Sequence, residues 1–102
     1  SDKKYQLWHD RAVFHFLNDE HKIKSYIKLA ENNIEIGGIL IIGTFSVNGP
    51  NKCSGLEVRQ YDQYSITKIF EKKFIPIDHE IVLHTTPFKT QQEFIFSTFQ
   101  KK

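Results

Sequence analysis

Apolar positions change their period several times along this chain, and each change marks an element. Tyr5-Gln6-Leu7-Trp8 is apolar on alternate positions and runs into the polar cluster His9-Asp10-Arg11, which predicts a short strand ending in a chemically loaded turn. Ala12 to Leu17 has a strand-like composition, but Asp19-Glu20 follows, and Ile23, Tyr26, Ile27 and Ala30 recur at helical spacing. The pattern predicts a short helical turn near Val13 to Leu17 and a helix from about Glu20 to Asn33, stopped by Gly37-Gly38. Ile39 to Phe45 is a continuous β-branched run without in-out alternation. Such a run suits a strand buried on both faces, in the middle of a parallel sheet covered by helices.

Ser46 to Tyr61 carries Gly49-Pro50 and Gly55 with little periodicity, so it reads as a long loop, of a size that usually serves function. Asp62 caps a second helix with Ile66, Ile69 and Phe70 on one side, ending near Lys73. Phe74 to Leu83 then reads as a strand in which Pro76 marks an edge or a bulge. Gln92 to Phe99 is the last strand, with Phe94 and Phe96 on one face and Ile95, Ser97 and Phe99 on the other. The order strand, helix, strand, helix, strand, strand predicts an α/β domain with a mixed sheet and a terminal antiparallel hairpin. No internal repeat or linker divides it.

Composition narrows the function classes. With 102 residues the chain is one domain or a piece of one. Fourteen Lys and Arg against 12 Asp and Glu leave a net charge of +2, without the positive field of a dedicated nucleic-acid binder. The longest apolar run, Ile39 to Ile42, is far shorter than the roughly 20 residues of a membrane span. A single cysteine, Cys53, cannot form an internal disulfide, and no signal-peptide pattern opens the chain, so the expected compartment is a reducing cytoplasm. Methionine is absent, and Ser1-Asp2-Lys3-Lys4 leads almost at once into a strand, which suggests that an N-terminal part lies upstream. A small complete protein that has lost its initiator methionine is the alternative.

Three stretches carry a family resemblance: Trp8-His9-Asp10-Arg11-Ala12-Val13-Phe14-His15-Phe16-Leu17, Gly37-Gly38-Ile39-Leu40-Ile41-Ile42-Gly43-Thr44-Phe45, and Asn48-Gly49-Pro50-Asn51-Lys52-Cys53-Ser54-Gly55-Leu56. Together they resemble the C-terminal half of a class I S-adenosylmethionine-dependent methyltransferase. The likeness runs over nearly the whole chain, and the first stretch is similar to the Trp-Asp-Arg-Gly turn of thiopurine-type methyltransferases, with His9 inserted and Ala12 in place of Gly. The resemblance implies the C-terminal half of a Rossmann-like methyltransferase fold with flanking helices, in which S-adenosylmethionine is the cofactor of the intact fold. It also implies a gap, because such enzymes hold the cofactor mainly with a Gly-rich turn and an acidic strand end in their N-terminal half. The five glycines here, at 37, 38, 43, 49 and 55, never form a Gly-x-Gly turn between a strand and a helix. Weak cofactor binding and no activity are expected of the isolated chain.

Open α/β sheets bind ligands beyond the carboxyl ends of their strands, which is where His9, Asp10 and Arg11 fall. Asp10 would orient a cationic or hydrogen-bonding group, Arg11 would hold a carboxylate bidentately, and His9 or His15 would take the acceptor's proton near neutral pH. The resemblance makes His9, Asp10 and Arg11 the catalytic candidates and Trp8, His9 and Asp10 the cofactor contacts. A structural ion pair or a helix-starting cap is the competing role for Asp10 and Arg11. His15, between Phe14 and Phe16, suits packing better than catalysis. The other histidines give no metal set, since His79 and His84 fall on opposite faces of a strand and no third ligand is spaced to join them. Cys53 and Ser54 lack a base placed by sequence, and Ser46 is not in a Gly-x-Ser-x-Gly elbow. The loop Ser46 to Tyr61 is a candidate lid over an acceptor. Tyr5 to Trp8 has none of the charge, proline or bulge that protects an edge strand. A homodimer through that first strand is therefore expected, with a small-molecule or protein methyl acceptor as the other partner.

Overall fold

A computed structural model of the chain describes residues 4–11, 14–53 and 55–102. Strand β1 (Tyr5–Arg11) is followed by a 3-10 turn at Phe14–Phe16, helix α1 (Glu20–Asn33) and strand β2 (Ile34–Phe45). A small hairpin of β3 (Lys52–Cys53) and β4 (Leu56–Glu57) precedes helix α2 (Gln63–Phe70) and the long strands β5 (Phe74–Thr85) and β6 (Gln91–Lys101). The main sheet has the order β1-β2-β6-β5. β1 and β2 are parallel, and β6 runs antiparallel to both β2 and β5. This is the α/β fold with a mixed sheet and a terminal hairpin that the element order predicts.

Local chemistry sets both helix starts. The Asp19 side chain accepts from the His21 amide at 2.7 Å to open α1. Asp62 and Ser65 form a capping box at α2, with Ser65 N donating to Asp62 Oδ1 at 2.7 Å and Asp62 N donating to Ser65 Oγ at 3.0 Å.

Several boundaries differ from the sequence pattern. His9, Asp10 and Arg11 are not in a turn; they are the last residues of β1 and pair with Ile41, Ile42 and Gly43. Val13, the first residue of the expected helical turn, lies outside the described residues, as does Ala12. Gly37-Gly38 does not stop α1. The helix ends at Asn33, Ile34 already has extended geometry, and the two glycines lie inside β2. There they make an irregularity, because the pairing jumps from Tyr5↔Ile34 to Leu7↔Ile39. Gly37 takes φ +83, and a Cβ on Gly38 would stand 2.8 Å from the Glu35 carbonyl oxygen. α2 ends at Phe70, leaving Lys73 in the turn that follows. The expected bulge near Pro76 is present, between Pro76 and Asp78.

Both helices cover one face of the sheet. Leu40 and Ile42 of β2 and Ile95 and Phe99 of β6 form a single core with Ile23 and Ala30 of α1 and Ile66 and Phe70 of α2. Phe14 stands between these layers. The expectation that Ile39 to Phe45 is buried on both faces holds at the end of the run, where Gly43, Thr44 and Phe45 are all buried, and is corrected at its start, where Leu40 and Ile42 are fully buried while Ile39 and Ile41 on the other face are half-buried. A run without polar alternation suits either environment, so its composition alone does not report which face is covered. The helix-free face carries Leu7, Ile39, Ile41 and the stacked rings of Phe94 and Phe96, 5.9 Å apart. Gly43 belongs to it as well, because the Phe96 ring occupies the space where a Cβ would be. Among the described residues no helix is long and apolar enough to cross a membrane.

Candidate functional site at the carboxyl end of the sheet

The parallel ends of β1 and β2, the end of β5 and the start of β6 meet at one edge of the sheet. Strand alternation divides the predicted residues between two faces. Trp8 and Asp10 point to the helix face, Asp10 with 7% of its surface exposed, whereas His9 and Arg11 are exposed on the other side. The three candidate catalytic side chains therefore do not converge.

Asp10 is held in a hydrogen-bonded chain. The Tyr26 hydroxyl donates to Asp10 Oδ2 at 2.5 Å, the Phe14 amide donates to Oδ1 at 3.3 Å, and Trp8 Nε1 donates to the Tyr26 oxygen at 3.1 Å. Burial, reinforced by the bond to Asp10, pushes the Tyr26 hydroxyl far above its ordinary pKa, so it remains a proton donor. The carboxylate thus ties the chain leaving β1 to the middle of α1. Its geometry is that of a group that positions the turn.

His15 is fully buried, as its place between two phenylalanines suggests. The Phe45 amide donates to its Nδ1 at 3.0 Å, so the ring is neutral with its proton on Nε2. Burial lowers its pKa, against an opposing pull from the Asp10 charge. The imidazole lies on Phe45 with ring centres 4.6 Å apart, and His15 thereby locks the end of β2 to the turn after β1.

The segment Ser46 to Tyr61 folds back on that turn and is fastened to it. Arg59 N donates to the His15 carbonyl at 2.8 Å, Asn18 Nδ2 donates to the Glu57 carbonyl at 2.9 Å, and the Arg59 guanidinium reaches Asn18 O at 3.0 Å and Glu20 at 3.2 Å. A lid hinged to swing free is not what these contacts describe. Cys53 belongs to β3 by its backbone, and Ser54 lies outside the described residues. His79 and His84 do fall on opposite faces: His79 meets Thr67 and Ser97, and His84 meets the Phe94 ring.

Sequence reasoning missed a second cluster on the helix face. Ser46, directly after β2, donates through its hydroxyl to the Glu93 carboxylate and accepts from the Asn48 amide at 3.3 Å. His79 Nδ1 is 2.9 Å from Ser97 Oγ, and its Nε2 is 3.3 Å from Thr67 Oγ1. Between these groups and the start of α2 is a cavity of about 240 Å³. One signal could have located it. Glu93 shares strand parity with Ile95, Ser97 and Phe99, so it sets a carboxylate on the core-facing side of β6.

Of the three expected contacts to S-adenosylmethionine, His9 is exposed at the end of β1 and the other two are bonded within the chain. The Trp8 indole N–H is bonded to Tyr26, Asp10 is bonded to Tyr26 and to the turn, and no Gly-x-Gly turn supplies backbone donors.

No protein-family model matches the chain, and no curated protein matches it either. Solved structures do. The 1,6-didemethyltoxoflavin-N1-methyltransferase of Burkholderia thailandensis, with 1,6-didemethyltoxoflavin and S-adenosylhomocysteine bound, aligns with a TM-score of 0.78 at 15% identity over 100% of this chain and 46% of its own. The N-methyltransferase NodS of Bradyrhizobium japonicum, in complex with S-adenosylhomocysteine, gives 0.67 at 10% identity over 99% of this chain and 48% of its own. An S-adenosylmethionine-dependent methyltransferase of Clostridium acetobutylicum gives 0.70 at 15% identity over 99% and 60%. The chain thus spans about half the length of the methyltransferases it matches. A four-stranded mixed sheet whose parallel pair leads into an antiparallel hairpin, with its helices on one face, gives this chain a class I S-adenosylmethionine-dependent methyltransferase-like fold.

Proposed function

We propose that this chain is the acceptor-side, C-terminal half of an S-adenosylmethionine-dependent methyltransferase that works in the reducing cytoplasm and is inactive until a cofactor-binding half completes it. The observation that carries this reading is that the whole chain aligns with about half of each solved methyltransferase, while among the described residues no helix covers the second sheet face and no strand pairs with the outer edge of β1. In the completed fold S-adenosylmethionine supplies an electrophilic methyl group. The chain's own residues divide the remaining work. Asp10, bonded to Tyr26 and Phe14, positions the turn, while Arg11 and His9 project from the end of β1, where Arg11 can hold an acceptor carboxylate and His9 can accept a proton. Replacing Arg11 by Ala in the completed protein is expected to lower turnover at least tenfold, about 1.4 kcal/mol of transition-state stabilisation, with unchanged thermal stability. Asp10→Ala should also lower turnover but soften the fold, which a melting curve separates. Wild-type turnover in both variants would assign the two residues to structure.

The open edge of β1 favours a second reading, a module that acts by self-association. Among the described residues β1 pairs with β2 on one side and with no strand on the other, and Tyr5 and Leu7 on it are 55% and 58% exposed. Two copies could join these edges antiparallel across a twofold axis to make one wider sheet. Sedimentation at micromolar concentration is expected to show a dimer that Leu7→Pro dissociates. A 12.0 kDa species as the sole component would exclude it.

A further inference from the structure

The helix-face cavity lies at the carboxyl end of β2, the end at which open α/β sheets bind ligands. Ser46 and Val47 come from the segment just after that strand, Asp62 from the start of α2, His79 and Ile81 from β5, and Glu93 from β6. We propose that this cavity binds a small amine in its ammonium form, with the charged nitrogen on Glu93 and a short apolar body against Val47 and Ile81. The proposal is of binding alone and does not rest on the transferase reading above, whose acceptor contacts, His9 and Arg11, lie on the opposite face of the sheet.

Charge selects the ligand class. Among the described residues the cavity wall holds two carboxylates, Glu93 and Asp62, and no lysine or arginine. A helix N-terminus ordinarily favours an anion, but the start of α2 is already closed by its capping box, and the Ser65 amide holds the Asp62 carboxyl below its ordinary pKa. His79 does not supply the positive charge, because burial pushes its pKa down, opposed by Asp78.

Glu93 supplies an independent argument. It is half-buried on the core side of β6 beside Ile95, and its hydrogen-bond partner among the described residues is a neutral hydroxyl, that of Ser46. A cation beside this carboxylate would add a charge-assisted hydrogen bond of a kind that a neutral hydroxyl does not give. Val47 and Ile81, each 54% exposed around the opening, and Ile95, buried beneath, supply an apolar stripe beside the polar Asn48, Gln63 and His79. At about 240 Å³ the cavity falls just below the roughly 300–1,000 Å³ of drug-sized ligand sites, which suits a small amine.

The test is a titration of the chain by NMR with phenethylamine at neutral pH, against 3-phenylpropionate, which is similar in shape and opposite in charge. The amine is expected to bind at least tenfold more tightly, with shifts centred on the amides of Asn48, Gln63 and Ile81. Glu93→Gln, which keeps the size of the side chain and the Ser46 contact, should remove at least tenfold of that affinity. Asp62→Asn, which retains a capping side chain, should remove a smaller part. Equal binding of the two probes, shifts away from the cavity, or full amine affinity in Glu93→Gln would each overturn the proposal. No cofactor takes part in this measurement, so its outcome is separate from that of the turnover assay on Arg11.

Discussion

Truncating Phe14 to Ala is expected to cost about 3–5 kcal/mol of stability, a large share of the roughly 5–15 kcal/mol that holds a small domain together. The ring is fully buried and is the point at which three elements meet. Its centre lies 4.9 Å from Tyr26 of α1, 5.6 Å from Tyr61 before α2, and 5.4 Å from Phe70 at the end of α2. Neighbours held by three different backbones cannot all close on the same void, so the cavity term should persist. Its amide also donates to Asp10, so a shift of this residue would loosen the chain from Trp8 through Tyr26 to the turn. Phe88, 87% exposed at the tip of the β5-β6 hairpin, is the matched control, with an expected change within about 0.5 kcal/mol. Urea unfolding of both variants checks this. A Phe14→Ala cost below about 1 kcal/mol would show that the layers repack without the ring.

The second large effect concerns the cofactor. The isolated chain is expected to bind S-adenosylmethionine no better than millimolar, about 4 kcal/mol weaker than micromolar binding. Two of the three expected cofactor contacts, Trp8 and Asp10, already have hydrogen-bond partners within the chain. Tyr26 takes both the Trp8 N–H and one Asp10 oxygen, and the Phe14 amide takes the other. No Gly-rich turn offers replacement donors. Calorimetry that gave a micromolar dissociation constant for this chain would refute the assignment of cofactor binding to a separate half.

Elements governed by neighbours in sequence were legible without coordinates. The 3.6-residue spacing from Ile23 to Ala30, with Asp19 before it, placed α1 between the residues it occupies, because an amphipathic stripe and a cap are local properties. Asp62 likewise marked the start of α2, and the alternation in β6 correctly put Phe94 and Phe96 opposite Ile95, Ser97 and Phe99. Gly37-Gly38 shows where local reasoning fails. Glycine is used both to end a helix and to let a strand deform, and the partner that decides between them, β1, lies some thirty residues away along the chain.

The site divides in the same way. A polar cluster at a strand end was visible in His9-Asp10-Arg11, but one more strand residue on each side of Asp10 sends its neighbours to the opposite face. Asp10 became a positioning group only when α1 brought Tyr26 beneath it. Ser46 and Glu93 stand 47 residues apart and meet because β6 pairs back against β2. Periodicity, caps and turns are written into adjacent residues and fixed the helices, the strand faces and the α/β order. Which sheet face is covered, which edge stays open and which carboxylates share a cavity depend on contacts between distant segments, and those arise only when the sheet closes.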